Sequence, residues 1–520
     1  MKPVIRSFAV ACAFVMLAGA QSAQPDQSAP PAKYRISGVV VNGATGTPLS
    51  RVRVVMVPVS EPSKETETTT GADGRFVFEG LPAGYWGLFA ERKGFPRQGY
   101  GERPGVPDSL TQIATGPGGA SEGLTFRTYA PAIVAGKIID ESGDPVPAAL
   151  EIILQLETGR RTYQMIKNAA TDVEGEYRIW DLPAVPCYLL AVAAPQPPTA
   201  PDQPPVTFAP TYYSNATDPR TATQLDLKPG EEYKADFVLR RSRGVSIQIS
   251  GETGSSTAML YAEGPHGSEV VMAQLGPGEG STFYNIEPGR YKLTLFDAQT
   301  GTQSSRSVEV GTGDVTVQVP FPDPPSVTAK VRLVDGDAKL LSGATFFLHA
   351  DGGYQTHARA VGPGGTLTIP GMAAGTYKLM LATRGLYIKS VTSANTRVVD
   401  GIVDVPETGE VKLDIVLSGD GGRVAGKARA DGKPLAPARV VLAPRVDSAN
   451  FNDYRSYQTE SDGSFTYTAV KPGDYILFVT TDWRLEFGNP AAIRKYLATG
   501  RPIHVEPKGS IDLQVEPATF

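Results

Sequence analysis

Apolar and polar residues alternate through DGRFVFEGLPAGYWGLFA, the stretch that begins at Asp73, with Phe76 and Phe78 on one side and Arg75, Val77 and Glu79 on the other. A period of two sends one set of side chains to a core and the other to solvent, which predicts a strand. Asp73-Gly74 ahead of it is a tight-turn pair, because glycine takes positive φ without a Cβ clash and aspartate bonds its own backbone nearby. Leu81-Pro82-Ala83-Gly84 then breaks the ladder, since Pro82 has no N–H and Gly84 accepts conformations closed to other residues. A second strand is expected from Tyr85 to about Ala90. The same plan returns at Gly175 (EYRIWDLPAVPCYLLAV), Gly280 (STFYNIEPGRYKLTLF), Gly365 (TLTIPGMAAGTYKLML) and Gly463 (SFTYTAVKPGDYILFV). Copies spaced by roughly a hundred residues match one domain each.

Each copy also has a beginning and an end. The stretches from Arg35, Ile133 and Arg423 share a strand, a Gly-x-Pro turn and a β-branched strand, while those from Val245 and Val327 keep the strands without the proline. A turn and a closing strand recur at Glu122, Gly230, Thr312, Gly409 and Gly509. Six or seven short strands per copy, with turns between them, predict an all-β chain of about five tandem Ig-like β-sandwiches.

The Gly-x-Pro turn, the D-G-x-F/Y hairpin and the L-P-x-G-x-Y break together resemble carboxypeptidase regulatory-like domains. These are prealbumin-like sandwiches related in fold to starch-binding-like and collagen-adhesin B-type modules. The resemblance implies units at 34–130, 131–241 and 420–520, with more degenerate copies at 242–323 and 324–419. The shared motif turns and packs, and carries no chemistry.

At the start, Lys2 and Arg6 precede an apolar run from Phe8 to Leu17, then Ala18-Gly19-Ala20. This is the pattern of a secretory signal peptide over residues 1–20, cut before Gln21. The run is too short to span a bilayer as a mature helix. Residues 21–33 read as a flexible lead-in. Export places the chain in the periplasm, on the outer cell surface or outside the cell. Cleavage would remove Cys12 and leave Cys187 alone, unable to form an internal disulfide. Losing Lys2 and Arg6 takes the formal charge from −5 to −7. Charges of both signs are interspersed, so no basic stripe exists to neutralise nucleic-acid phosphates.

Two insertions stand out. Ala194–Pro210 is proline-rich and leads to Asp218-Pro219, which suits one helical turn. NPAAIRKYLATG is a helix with Asn489 as its cap, Pro490 at its first position, Ile493 and Leu497 on one face and Gly500 ending it. Both are expected as lids over the open end of a sandwich. Short linkers, the clearest at Pro320–Pro325, should keep neighbouring units in contact as a rod or bent stack.

Candidate chemistry is sparse. His266 and Glu269 have the spacing of a zinc pair, but they sit in a turn with no catalytic domain to house it; His349, His357 and His504 are scattered. No metal, cofactor or catalytic residue is therefore expected. A self-made Lys-Asn crosslink, as in some adhesin modules, finds no complete set, for Glu91 has no first-strand lysine and Lys137 and Lys427 lack the acid. Flat aromatic residues near strand ends remain, with Trp86, Tyr212, Tyr213 and Trp483 the candidates for stacking on a sugar, and Tyr100, Tyr454 and Tyr457 nearby in type. The expected function is a noncatalytic exported structural or protein-interaction module at the cell envelope, whose partner is an envelope protein or a polysaccharide. The alternatives are a carbohydrate-binding protein and a cryptic zinc hydrolase.

Overall fold

The computed structural model of the chain describes residues 34–517, apart from 107–108, 158–160, 194–206, 243–244, 252–255, 265–268, 277–280, 298–301, 320–324, 351–355, 373, 449 and 451–452. The leader, most of the proline-rich insertion, the proline linker and His266 lie outside the described residues, as does the side chain of Glu269.

The described chain folds as serial β-sandwiches, each with two short sheets around its own apolar core. In the first, Tyr34–Asn42 lies between the antiparallel hairpin strand Arg75–Leu81 and the parallel closing strand Leu124–Thr128. The facing sheet centres on Arg53–Pro58 and Gly84–Arg92, flanked by Thr66–Thr69 and Phe95–Gly99. The same arrangement, first strand between hairpin strand and closing strand, is built around Ala132–Asp140, Val245–Ser250, Ser326–Leu333 and Gly422–Ala430. Parallel pairing of the first strand with the last closes each unit on itself.

The hairpin strand behaves as its pattern predicts: Phe76 and Phe78 are buried and their neighbours exposed, Tyr177/Ile179 repeat this, and Phe465/Tyr467 are buried with half-buried or exposed neighbours. Gly74 takes φ +75° in the turn. The break differs from expectation, for the positive φ falls on Gly80 rather than Gly84. A register shift opposite Tyr34–Ile36 marks a β-bulge there, and the matching shifts put Asp181 and Ala469 at positive φ in the second and fifth units. Bulges demand such a residue, which locates the constraint one step before the proline break.

Gly38, Gly136 and Gly426, which the front-end motif repeats, are explained by the closing strand. A Cβ on them would lie 2.3, 2.0 and 1.9 Å from the carbonyl oxygens of Leu124, Ala235 and Leu513. Only a residue without a side chain lets the two strands approach so closely.

The helix Pro490–Thr499 forms with its expected cap, Asn489 Oδ1 accepting from the Ala491 N–H at 3.1 Å, and Gly500 donating to the Tyr496 carbonyl. Its buried residues are Ile493 and Tyr496, with Leu497 only partly covered. It covers the outer face of a sheet, not the open end of the sandwich. Val441, Ala443 and Phe478 project outward from that sheet and need an apolar cover, and Tyr496 stacks on Phe478 at 4.9 Å. In the second unit Ile153, Tyr188, Leu190 and Tyr212 form a comparable outer cluster. Asp218 caps the short turn Pro219–Thr221.

Candidate functional site

The aromatic candidates were chosen for flat faces near strand ends, and the structure places them apart. Trp86 is buried in the first core with its indole N–H donating to Thr115 Oγ1 at 2.8 Å. Tyr212 is buried in the outer cluster of the second unit, and Tyr213 packs edge-on against Phe237. Tyr100 lies edge-on to Phe126. None of these presents an open face for a sugar, because alternating residues of a sandwich point into one layer or another and each of these points into a packed one.

Trp483 leads elsewhere. The guanidinium of Arg103, from the first unit, lies 4.3 Å from its ring centroid, and that of Arg439, from the fifth, lies 5.1 Å away on a buried side chain. The indole is thus held by cations from the two ends of the chain, an arrangement worth about 0.5–2 kcal/mol per pair. Around it the turn that precedes Gly463 meets Gly101, Ser109, Thr111, Gln112 and Ala114.

That junction is polar and largely satisfied. Glu460 Oε2 accepts the Gln112 N–H at 2.7 Å, and Oε1 accepts the Tyr457 O–H at 2.6 Å. The Ser461 N–H donates to the Gln112 carbonyl, and Ser461 Oγ accepts the Ala114 N–H, both at 3.0 Å. The side-chain amide of Gln458 donates toward the Ser109 carbonyl, Thr111 Oγ1 and the Gly101 carbonyl. Asp462 pairs with Lys427 at 2.8 Å and accepts the Ser464 N–H, which fixes the turn from its own side. Two buried atoms at the junction have no partner among the described residues, Gln458 Oε1 and Arg103 Nε. Each such omission costs about 1–3 kcal/mol, so the contact is specific in geometry and modest in strength.

Electrostatics follow from burial. Desolvation pushes the Glu460 carboxyl up to about 7, against the two hydrogen bonds that favour its charge. Tyr457 is driven upward by burial and by Glu460. Burial also acts to raise Asp462, but the Lys427 ion pair and the Ser464 bonds outweigh it and hold the group below its ordinary value. Arg103 is lowered by burial.

Comparison between the copies singles this turn out. Its counterparts Gly71–Asp73 and Asp172–Glu174 are exposed, whereas Thr459–Asp462 is buried throughout. Sequence reasoning missed Gln458, Glu460, Ser461, Thr111 and Arg103, since a polar turn reads as solvent-facing. The one available hint was that QTESDG carries more hydrogen-bonding side chains than TTGADG at the same place in the first copy.

The fourth and fifth units also meet, through Tyr387 O–H donating to Asp420 Oδ1 at 2.7 Å and the Asn450 amide donating to the Asp400 carbonyl at 2.5 Å. Between them is an open cleft of about 810 Å³ whose lining mixes apolar residues such as Leu386 and Ile388 with Tyr387, Lys389, Arg455 and Tyr475.

Among the described residues no group of three or more His, Cys, Asp or Glu is placed to hold a metal ion, and no helix is long and apolar enough to cross a membrane. His504 pairs with Asp474 at 2.7 Å, which raises its pKa, and His357 is lowered by burial. Glu91 is an ion-pair partner of Arg53.

Fold and junction together define a protein of tandem β-sandwiches whose first and fifth units meet. Residues 35–123, in the first of those sandwiches, match the family model of the carboxypeptidase regulatory-like domain. No curated protein matches the chain. Similar solved structures include the Bacillus anthracis TIE protein, at 12% identity over 75% of this chain and 75% of that one with a TM-score of 0.17. They also include a streptococcal ancillary pilin, at 12% identity over 55% of this chain and 98% of that one with a TM-score of 0.16. GBS52, the minor pilin of Streptococcus agalactiae, has 11% identity over 40% of this chain and 96% of that one with a TM-score of 0.21.

Proposed function

We propose that the chain is a noncatalytic exported module with a structural or protein-interaction role at the cell envelope, its units running between the boundaries given above. The observation that carries this reading is the buried junction: the polar side chains of the fifth unit's turn are engaged in joining sandwiches, at the one hairpin turn that differs from its exposed counterparts in the first two copies. Chemistry of that kind builds and fixes an assembly. The apolar leader motivates export. Fractionation of cells expressing the full chain and a form lacking residues 1–20 tests it: the full chain is expected in the envelope or outside the cell and the shortened one in the cytoplasm. A full chain retained in the cytoplasm, or one that crosslinks to nothing in the envelope fraction, overturns the proposal.

The carbohydrate reading rests on the cleft between the fourth and fifth units rather than on the buried Trp86 and Tyr212, because Tyr475 and Arg455 line an open space of mixed polar and apolar character there. Glycan-array binding that Tyr475→Ala removes would support it. Silence on the array ends it.

A further inference from the structure

We propose that one end of the first sandwich, around Arg51, Arg92 and Lys93, is a binding groove for an acidic polysaccharide, a chain of sugars bearing carboxylates. The inference goes beyond the structural-module reading, for it names a ligand class and a site apart from the cleft between the fourth and fifth units. The groove is open, holds about 510 Å³, and is lined by Arg51, Arg53, Arg92, Lys93, Phe95 and Arg97 together with Glu91. Strand pairing gathers these side chains. Arg53 lies opposite Glu91, and a turn through Gly94 at φ +82° brings Phe95 opposite Arg92. Three acids answer the five cations: Glu67 and Glu91 both pair with Arg53, and Glu65 lies 3.6 Å from Arg97. Arg92 donates to the Ser50 carbonyl at 3.1 Å, while Arg51 and Lys93 are exposed and have no acidic partner among the described residues. Five cations less three acids leave an excess of two positive charges, on a chain whose formal charge is −5.

The strand plan does not ask for these cations. A threonine hydroxyl, on Thr70, Thr171 or Thr459, donates to the carbonyl of Leu49, Val146 or Leu435 and accepts from the N–H of Val52, Ala148 or Ala438, which brings the first, second and fifth copies into register. In that register Arg51 stands where the others have Pro147 and Pro437, and Arg92 where they have Ala193 and Thr481. Arg51 is held at φ +55°, which proline cannot reach and other L-residues seldom adopt, so this conformation sets the first copy apart from those two. Backbone held in that way clusters at ligand sites. Guanidinium groups meet carboxylates with paired N–H bonds, and an open groove suits a chain laid across it. The rings decide among polyanions. Phe95 and Phe89 lie under Arg92 and Arg97, at 5.5 and 4.5 Å, which leaves no bare face for a nucleic-acid base to stack on. None of the large apolar side chains exposed in the described chain lines the groove, so it offers a membrane nothing to insert.

The test titrates the full chain with polygalacturonate, and with neutral dextran as control, by calorimetry at about 0.01 M salt, where charges act over about 30 Å. The chain is expected to bind the first polymer and not the second. Arg51→Glu combined with Lys93→Glu is expected to weaken binding about tenfold or more. Glu67→Gln, which releases part of the Arg53 charge, is expected to strengthen it about twofold, and it keeps the test standing if the double variant fails to fold. Absence of binding, equal binding of dextran, a double reversal that binds as the parent does, or a Glu67→Gln chain that binds no tighter than the parent overturns the proposal. So does a single-stranded oligonucleotide or a phosphatidylglycerol vesicle that binds as tightly as polygalacturonate. The titration does not depend on export, so its failure leaves the fractionation result, and with it the envelope reading, untouched.

Discussion

Replacing Gln458 by glutamate tests the junction directly. The amide Nε2 has two hydrogens to share among three oxygens of the first unit, so two bonds of about 1 kcal/mol each are lost. A carboxylate at the same place faces those oxygens without a donor. An unpaired buried charge costs about 3–5 kcal/mol, and because Gln458 is only half-buried we take roughly half of that. The sum is about 4 kcal/mol, which lowers the closed-to-open ratio by about three orders of magnitude. Spin labels at Ala72→Cys and Lys433→Cys, both exposed, report the distance between end units. Cys187 does not interfere, since it is fully buried and its thiol is pushed up to about 12. The parent should give one narrow distance distribution and Gln458→Glu a broad, longer one, with the melting of the individual sandwiches unchanged. A variant whose distribution stays as narrow as the parent's refutes the claim that these bonds hold the ends together.

Three further outcomes are expected. A carboxyl raised on burial binds its proton more tightly docked than free, so the contribution of Glu460 is complete below about pH 4.5 and is lost as pH rises through about 7, by up to about 3 kcal/mol; small-angle scattering should show a larger radius at pH 8 than at pH 5, and a radius constant over that range would count against it. Gly426→Ala sets a Cβ against the Leu513 carbonyl and should destabilise the fifth sandwich by about 1–3 kcal/mol or more, whereas Gly84→Ala enters open space and should melt as the parent does; equal melting of the two is the refuting result. Trp86→Ala empties part of the first core and should cost that sandwich about 3–5 kcal/mol by calorimetry, while a stable variant would contradict its burial.

The repeated sandwich was legible because its determinants are local. Period-two burial at Phe76 and Phe78, the Asp-Gly turns and the Gly-x-Pro turns each act within a few residues, and the cap at Asn489 did the same for the helix. The special backbone conformation was placed at Gly84 rather than at Gly80, because a proline break advertises itself more strongly than the register shift before it. The face covered by the helix was misjudged because Val441 and Phe478 look like core residues wherever they point. The junction was not legible at all. Glu460 and Gln112 are 348 positions apart, and nothing in either neighbourhood announces the other. Trp483 was named as a candidate for stacking on a sugar, and its place against Arg103, which arrives from the far end, could not be read from its own neighbourhood.

In the first, second and fifth sandwiches a glycine preceded by an aspartate or glutamate sets the hairpin tip, and the residue just ahead of that pair, Ala72, Val173 or Ser461, points away from its own unit's core. Such tips are vacant sockets: in the first and second sandwiches they still point at water, and in the fifth a handful of substitutions has turned one into a clasp. A protein assembled from serial modules can therefore gain, lose or move a fastening without disturbing a single core, which makes the tips of the remaining sandwiches the natural places to engineer one.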